Sequence, residues 1–90
     1  MTVAYSNMCF TRREVDVLVL VAMEFANSEI GTKLGISIRT VETHVRNMLH
    51  KSGRRSRAGL VAHGYASGIL QHGVWPPQRS GQVARRGHAA

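Results

Sequence analysis

Residues 26–57 read ANSEIGTKLGISIRTVETHVRNMLHKSGRRSR, two short helical patterns joined at Gly35, the second running into a cluster of arginines. This is the layout of a helix-turn-helix that reads DNA. Laid out at about 100° per residue, the step set by 3.6 residues per turn, the second pattern separates into two faces. Val41, Val45, Met48 and Ser52 fall on one stripe, and Arg39, Glu42, Thr43, Arg46 and His50 on the opposite one. One side anchors the helix while the other offers hydrogen-bonding groups outward. The polar side is the candidate reading face.

Composition points the same way. A chain of 90 residues holds one small domain with a modest core. Twelve basic residues against five acidic ones give a net charge of +7, which favours a polyanionic partner. The charge is unevenly placed: residues 39–57 hold six basic side chains and one acidic, whereas the first 29 residues hold four of the five acids. Basic charge therefore gathers on and just after the second helix of the pair. A single cysteine, Cys9, allows no internal disulfide and no cysteine-based zinc site, so a reducing compartment, by default the cytoplasm, is expected. No apolar run reaches the roughly 18 residues that span a bilayer, and no secretory leader pattern opens the chain. Membrane association and export are not expected.

Two further helices flank the pair. Thr11-Arg12-Arg13-Glu14 is a capping box, with the threonine hydroxyl facing the Glu14 amide and the carboxylate returning the bond. The segment that follows alternates valines with Asp16, Leu18 and Leu20, a β-branched spacing that also suits a strand. The capping box, and the need to cover an otherwise exposed helical pair, favour a helix over about residues 12–23, with Val15 and Val19 as a small sticky patch. The first helix of the pair spans about Asn27 to Leu34, with Ile30 and Leu34 buried and Gly35 supplying the positive φ for the turn. Ser37 caps the reading helix, which runs over about 38–52 to a stop at Gly53. A last helix opens after Ser56 and places Val61, Gly64, Tyr65 and Gly68 on one stripe. Residues 1–9 form an N-terminal extension, and residues 71–90, with Pro76, Pro77 and three arginines, a flexible basic tail.

Five histidines raise the question of metal or acid-base chemistry. Neither His44 with His50 nor His63 with His72 has the i, i+4 spacing of a helical metal pair. No nucleophile, base and orienter set stands out. No catalytic residue, metal site, cofactor or small-molecule ligand is expected.

With these motifs placed, residues 10–70 resemble the LuxR-type (GerE or NarL-like) DNA-binding domain of bacterial transcription regulators. The segments TRREVDVL, NSEIGTKLGIS, RTVETHVRNML and SRAGLVA follow that family's order and spacing. A sigma-factor region that contacts promoter DNA shares the first three helices, and the fourth, opened by Ser56-Arg57-Ala58, favours the LuxR-type reading. The resemblance implies an all-α, four-helix domain whose third helix enters the major groove and whose fourth helix pairs two copies on a twofold site in double-stranded DNA. Base-reading positions then fall on Glu42, Thr43 and Arg46, and backbone contacts on Asn27, Lys33, Arg39, Thr40 and Arg57. Val61, Gly64, Tyr65 and Gly68 become candidates for the homodimer seam, unless the domain's own core consumes that stripe.

Several positions depart from the family pattern. Ser52 stands where a leucine is usual, and its place on the inner stripe implies a lost core contact. Arg54 replaces an apolar residue, Glu24 a turn glycine, and Gly59 the glutamate of the fourth helix's capping box. Ala26 stands where a serine or threonine caps, at a loss of about 1 kcal/mol unless Asn27 takes over. Two functions remain in view: a sequence-specific DNA-binding regulator acting as a homodimer, and an interaction module that pairs with a full-length regulator of the same family.

Overall fold

The computed structural model describes residues 9–71, so the expected tail and all but the last residue of the N-terminal extension lie outside the described residues. The described residues form four helices: α1 (Arg12–Ala22), α2 (Asn27–Leu34), α3 (Ile38–Ser52) and α4 (Arg57–Ala66). The first three sit within a residue of the expectation from caps and periodicity, and the fourth starts where expected but ends before Gly68. The valine-rich segment resolves as helix because its local start signal is complete. Thr11 Oγ1 accepts from the Glu14 amide at 3.1 Å, and Glu14 Oε1 accepts from the Thr11 amide at 2.8 Å. Glu14, Val17, Leu18 and Val21 then face inward, the i, i+3, i+4, i+7 spacing of an amphipathic helix.

The core joins Val17, Leu18 and Val21 of α1, Ile30 of α2, Val41, Val45 and Met48 of α3, Leu60 of α4, and Leu70 beyond it. α1 packs against the other three helices, and α3 against α1, α2 and α4. Val15 and Val19, expected to form a sticky patch, are each half-buried, and Val19 packs on the core. Leu34, expected to be buried, is also only half-buried.

The most consequential contact was not visible in the sequence. Glu14 is 3% exposed, and its Oε1 lies 2.8 Å from Lys51 Nζ at the far end of α3. Lys51 Nζ also donates to the Cys9 carbonyl at 3.4 Å. One carboxylate thus starts α1 and holds the end of α3 against it. Beside this junction the Phe10 ring lies 5.7 Å from the His63 ring of α4, centroid to centroid. Burial, followed by the charge of Arg54, lowers the His63 pKa below its usual value.

Two departures from the family pattern behave differently. Ser52 is half-buried at the edge of the inner stripe. Its Oγ donates to the Leu49 carbonyl at 3.3 Å and accepts from the Arg54 amide at 3.2 Å. The expected loss of a core leucine is corrected accordingly: the hydroxyl ties off the C-terminal turn of α3, and a leucine there would strip both bonds. Glu24, standing where the family has a turn glycine, takes φ +68° in the turn between α1 and α2, a conformation that costs a non-glycine residue roughly 1 kcal/mol. The missing cap at Ala26 is not made good by Asn27, whose side chain is engaged elsewhere. Glu29 Oε1 still accepts from the Ala26 amide at 2.7 Å.

Lys51→Met is expected to destabilise the domain by about 3 kcal/mol, since it leaves a buried carboxylate without its counter-charge. A Glu14→Gln/Lys51→Met pair should recover part of the loss in a denaturation cycle. Glu24→Gly should raise stability by roughly 1 kcal/mol and lift the thermal midpoint, by relieving the left-handed backbone at that turn.

Candidate nucleic-acid interface

The outer face of α3 is positioned by the turn that precedes it. Gly35 takes φ +71°, and the Ile36 amide donates to the Gly31 carbonyl at 2.9 Å. The turn lies so close to α2 that a Cβ at Gly31 would sit 2.7 Å from the Ile36 carbonyl oxygen. Arg13 of α1 donates through Nη2 to the Leu34 carbonyl at 3.0 Å, closing the end of α2 from outside. Ser37 then caps α3 by accepting from the Thr40 amide at 3.0 Å. Its Oγ also lies 2.9 Å from Thr40 Oγ1.

With Val41, Val45 and Met48 buried, the opposite side of α3 presents Arg39, Glu42, Arg46, Asn47 and His50 as exposed side chains. Thr43 is half-buried among them, and its Oγ1 donates to the Arg39 carbonyl at 3.0 Å. The hydroxyl is spent on the helix, which leaves the methyl group for any contact outward. Of the sequence candidates, Arg39, Thr40, Glu42, Thr43 and Arg46 therefore share one helix. Asn47 belongs to the same surface and was missed, although the helical wheel alone places it about 130° from the buried stripe.

The other candidates have intramolecular partners. Arg57 at the start of α4 donates through Nη1 to Asn27 Oδ1 at 2.7 Å and through Nη2 to the Phe25 carbonyl at 3.0 Å. Asn27 and Arg57, both expected at the DNA backbone, hold the start of α2 to the start of α4. Lys33 is exposed, with its Nζ 4.6 Å from the centroid of the Phe25 ring. A groove of about 750 Å³ opens beside this clamp, lined by residues that include Val21, Glu24, Phe25, Glu29 and Val61. None of its lining comes from α3.

The four seam candidates do not form one stripe. Gly64 is buried, and a Cβ there would lie 2.9 Å from Leu70 Cδ1 and 3.0 Å from Leu18 Cδ2. The domain's own core uses that close approach, so Gly64 is corrected from the surface to the interior. Gly68 lies past the end of α4 with φ +82°, where it turns the chain so that the Leu70 amide can reach the Gly64 carbonyl at 2.9 Å. Val61 and Tyr65 are half-buried against the core. The exposed row of α4 is Ala58, Ala62 and Ala66.

Residues 8–63 match the family model described as bacterial regulatory proteins, luxR family. The chain belongs to the luxR family. Response regulator proteins VraR of Staphylococcus aureus, Staphylococcus saprophyticus and Staphylococcus epidermidis are each 36% identical to it over 61 residues. That alignment covers 68% of this chain, and the chain spans 29% of the length of these relatives. The four helices described above form the all-α helix-turn-helix domain that luxR-family membership implies. No helix among the described residues is long and apolar enough to cross a membrane.

Proposed function

We propose that this luxR-type domain binds double-stranded DNA in the cytoplasm and serves transcription regulation, with α3 lying in the major groove, and we assign it no enzymatic role. The observation that carries this reading is the outer face of α3, where exposed arginine, glutamate, asparagine and histidine side chains stand opposite a dry stripe of Val41, Val45 and Met48. A net charge of +7 supplies the sequence-independent attraction to phosphates. In this reading Arg46 makes a bidentate pair with a guanine, Glu42 accepts from a cytosine amino group, and the Thr43 methyl meets a thymine. Thr40, Arg39 and Lys33 contact phosphates, which fixes register without reading bases.

One such helix with a few phosphate contacts binds weakly at physiological salt, so the functional unit we propose is a homodimer on DNA, with half-sites about one helical turn apart. Its seam is the exposed row of α4, Ala58, Ala62 and Ala66, with Val61 and Tyr65 at its sides. Small side chains there allow two helices to approach closely.

A salt-dependent gel shift on genomic fragments tests the reading: discrete fragments should be retained, with affinity falling linearly in log salt. Weak, uniform retention of all fragments would favour a module that acts by pairing with another regulator. Arg46→Ala should cost about 1 to 3 kcal/mol on the retained site and relax its base preference, whereas Thr40→Ala should weaken cognate and random DNA alike. Ala62→Glu, at an exposed position, is expected to abolish occupancy of the second half-site in footprinting while leaving base preference intact. Unchanged occupancy would place the seam elsewhere.

A further inference from the structure

Ile38, the first residue of α3, is the one large apolar side chain among the described residues left exposed, at 48% of its full area. Ile36, two residues before it, packs against the core, and Ile38 is not part of that core. The start of a helix gives no reason for it, since that position favours proline, and the first turn favours acidic side chains that complement the macrodipole. Ser37 and Thr40, joined by their hydroxyls at 2.9 Å, make its immediate surroundings polar. A single side chain in such a setting is also far short of the apolar patch that a protein partner covers.

Its register gives it a use. Ile38, Glu42 and Arg46 follow one another in steps of four, so they form a single ridge along α3, and all three are exposed. Ile38 stands at the N-terminal end of that ridge, the end of a recognition helix that reaches base edges. Phosphates and base amino or carbonyl groups offer nothing to an aliphatic side chain. The thymine C5-methyl is the apolar group that the major groove displays.

We propose that Ile38 is a further specificity-determining residue, its side chain reading the C5-methyl of a thymine next to the base pairs met by Glu42 and Arg46. This rests on the DNA-binding reading above, and the test separates the two.

The full chain and its Ile38→Ser and Ile38→Val variants are each used to select duplexes from a random pool. The selected site is then remade with deoxyuridine in place of each thymine in turn, which removes the methyl and keeps the pairing. The original chain should select a thymine at one position flanking the Glu42 and Arg46 bases. Uracil there should weaken its binding roughly fourfold, the worth of one buried methyl group. Ile38→Ser should lose both the preference and the uracil effect, and Ile38→Val should keep both. Because Ile38 is outside the core, its variants should melt as the original chain does; if Ile38→Ser does not, Ile38→Ala takes its place in the same comparison, and a thymine met by Thr43 is recognised by a uracil effect that the Ile38 variants leave unchanged. A selected site whose affinity is indifferent to uracil, or an Ile38→Ser variant with the same thymine preference, overturns the role of Ile38. Enrichment of no sequence at all overturns the DNA-reading function itself.

Discussion

The Glu14 carboxylate holds together two parts of the fold that the chain separates by 37 positions. Its Oε1 closes the capping box at the Thr11 amide and meets Lys51 Nζ at 2.8 Å. The first bond decides that a valine-rich segment becomes a helix, and the second presses the end of α3 onto the start of that helix. A carboxylate at 3% exposure is tolerable only because both bonds are made at once, one from a backbone donor and one from a cation. With that junction in place, α1 offers Val17, Leu18 and Val21 as a floor, and the face of α3 that meets the floor is settled. The opposite face is thereby turned outward.

Most of the architecture was legible from local rules. Thr11, Ser37 and Ser56 mark three helix starts and Gly35 and Gly53 two stops, each by chemistry contained within a few residues. The faces of α3 followed from period alone, and so did the grouping of Glu42, Thr43 and Arg46. What could not be read were contacts between residues far apart in the chain. Lys51 looked like one more surface cation, Arg57 like a phosphate ligand, and Gly64 like an open notch for a second copy. Each is occupied within the domain, by Glu14, by Asn27 with the Phe25 carbonyl, and by Leu18 with Leu70. Nothing in spacing or composition distinguishes such residues from free ones, because their partners lie 30 or more positions away in the two polar cases. Ser52 misled for a related reason: its wheel position is apolar, but it falls on the final turn, where carbonyl and amide groups need partners.

Stability and recognition are unevenly distributed over the fold. The corner between α1 and α2 contains both a left-handed glutamate and a helix start without a side-chain cap. The entry into α3 is the reverse, with a left-handed glycine, a serine cap, a close α2 packing at Gly31 and the Arg13 bond to Leu34. The tightest local geometry thus lies at the end of α3 that, in the proposed reading, meets bases, where small errors of position would cost most.

The pairing of Lys51 with Glu14 also changes how the charge of the molecule should be counted. Of the six basic residues over 39–57, one is neutralised inside the fold, and the Arg57 guanidinium has two of its donors committed to neighbours. Counterions displaced from DNA are set by the cations free to approach phosphates. For the proposed partner, the thermodynamic number of ions released by this stretch is therefore smaller than its count of basic residues suggests.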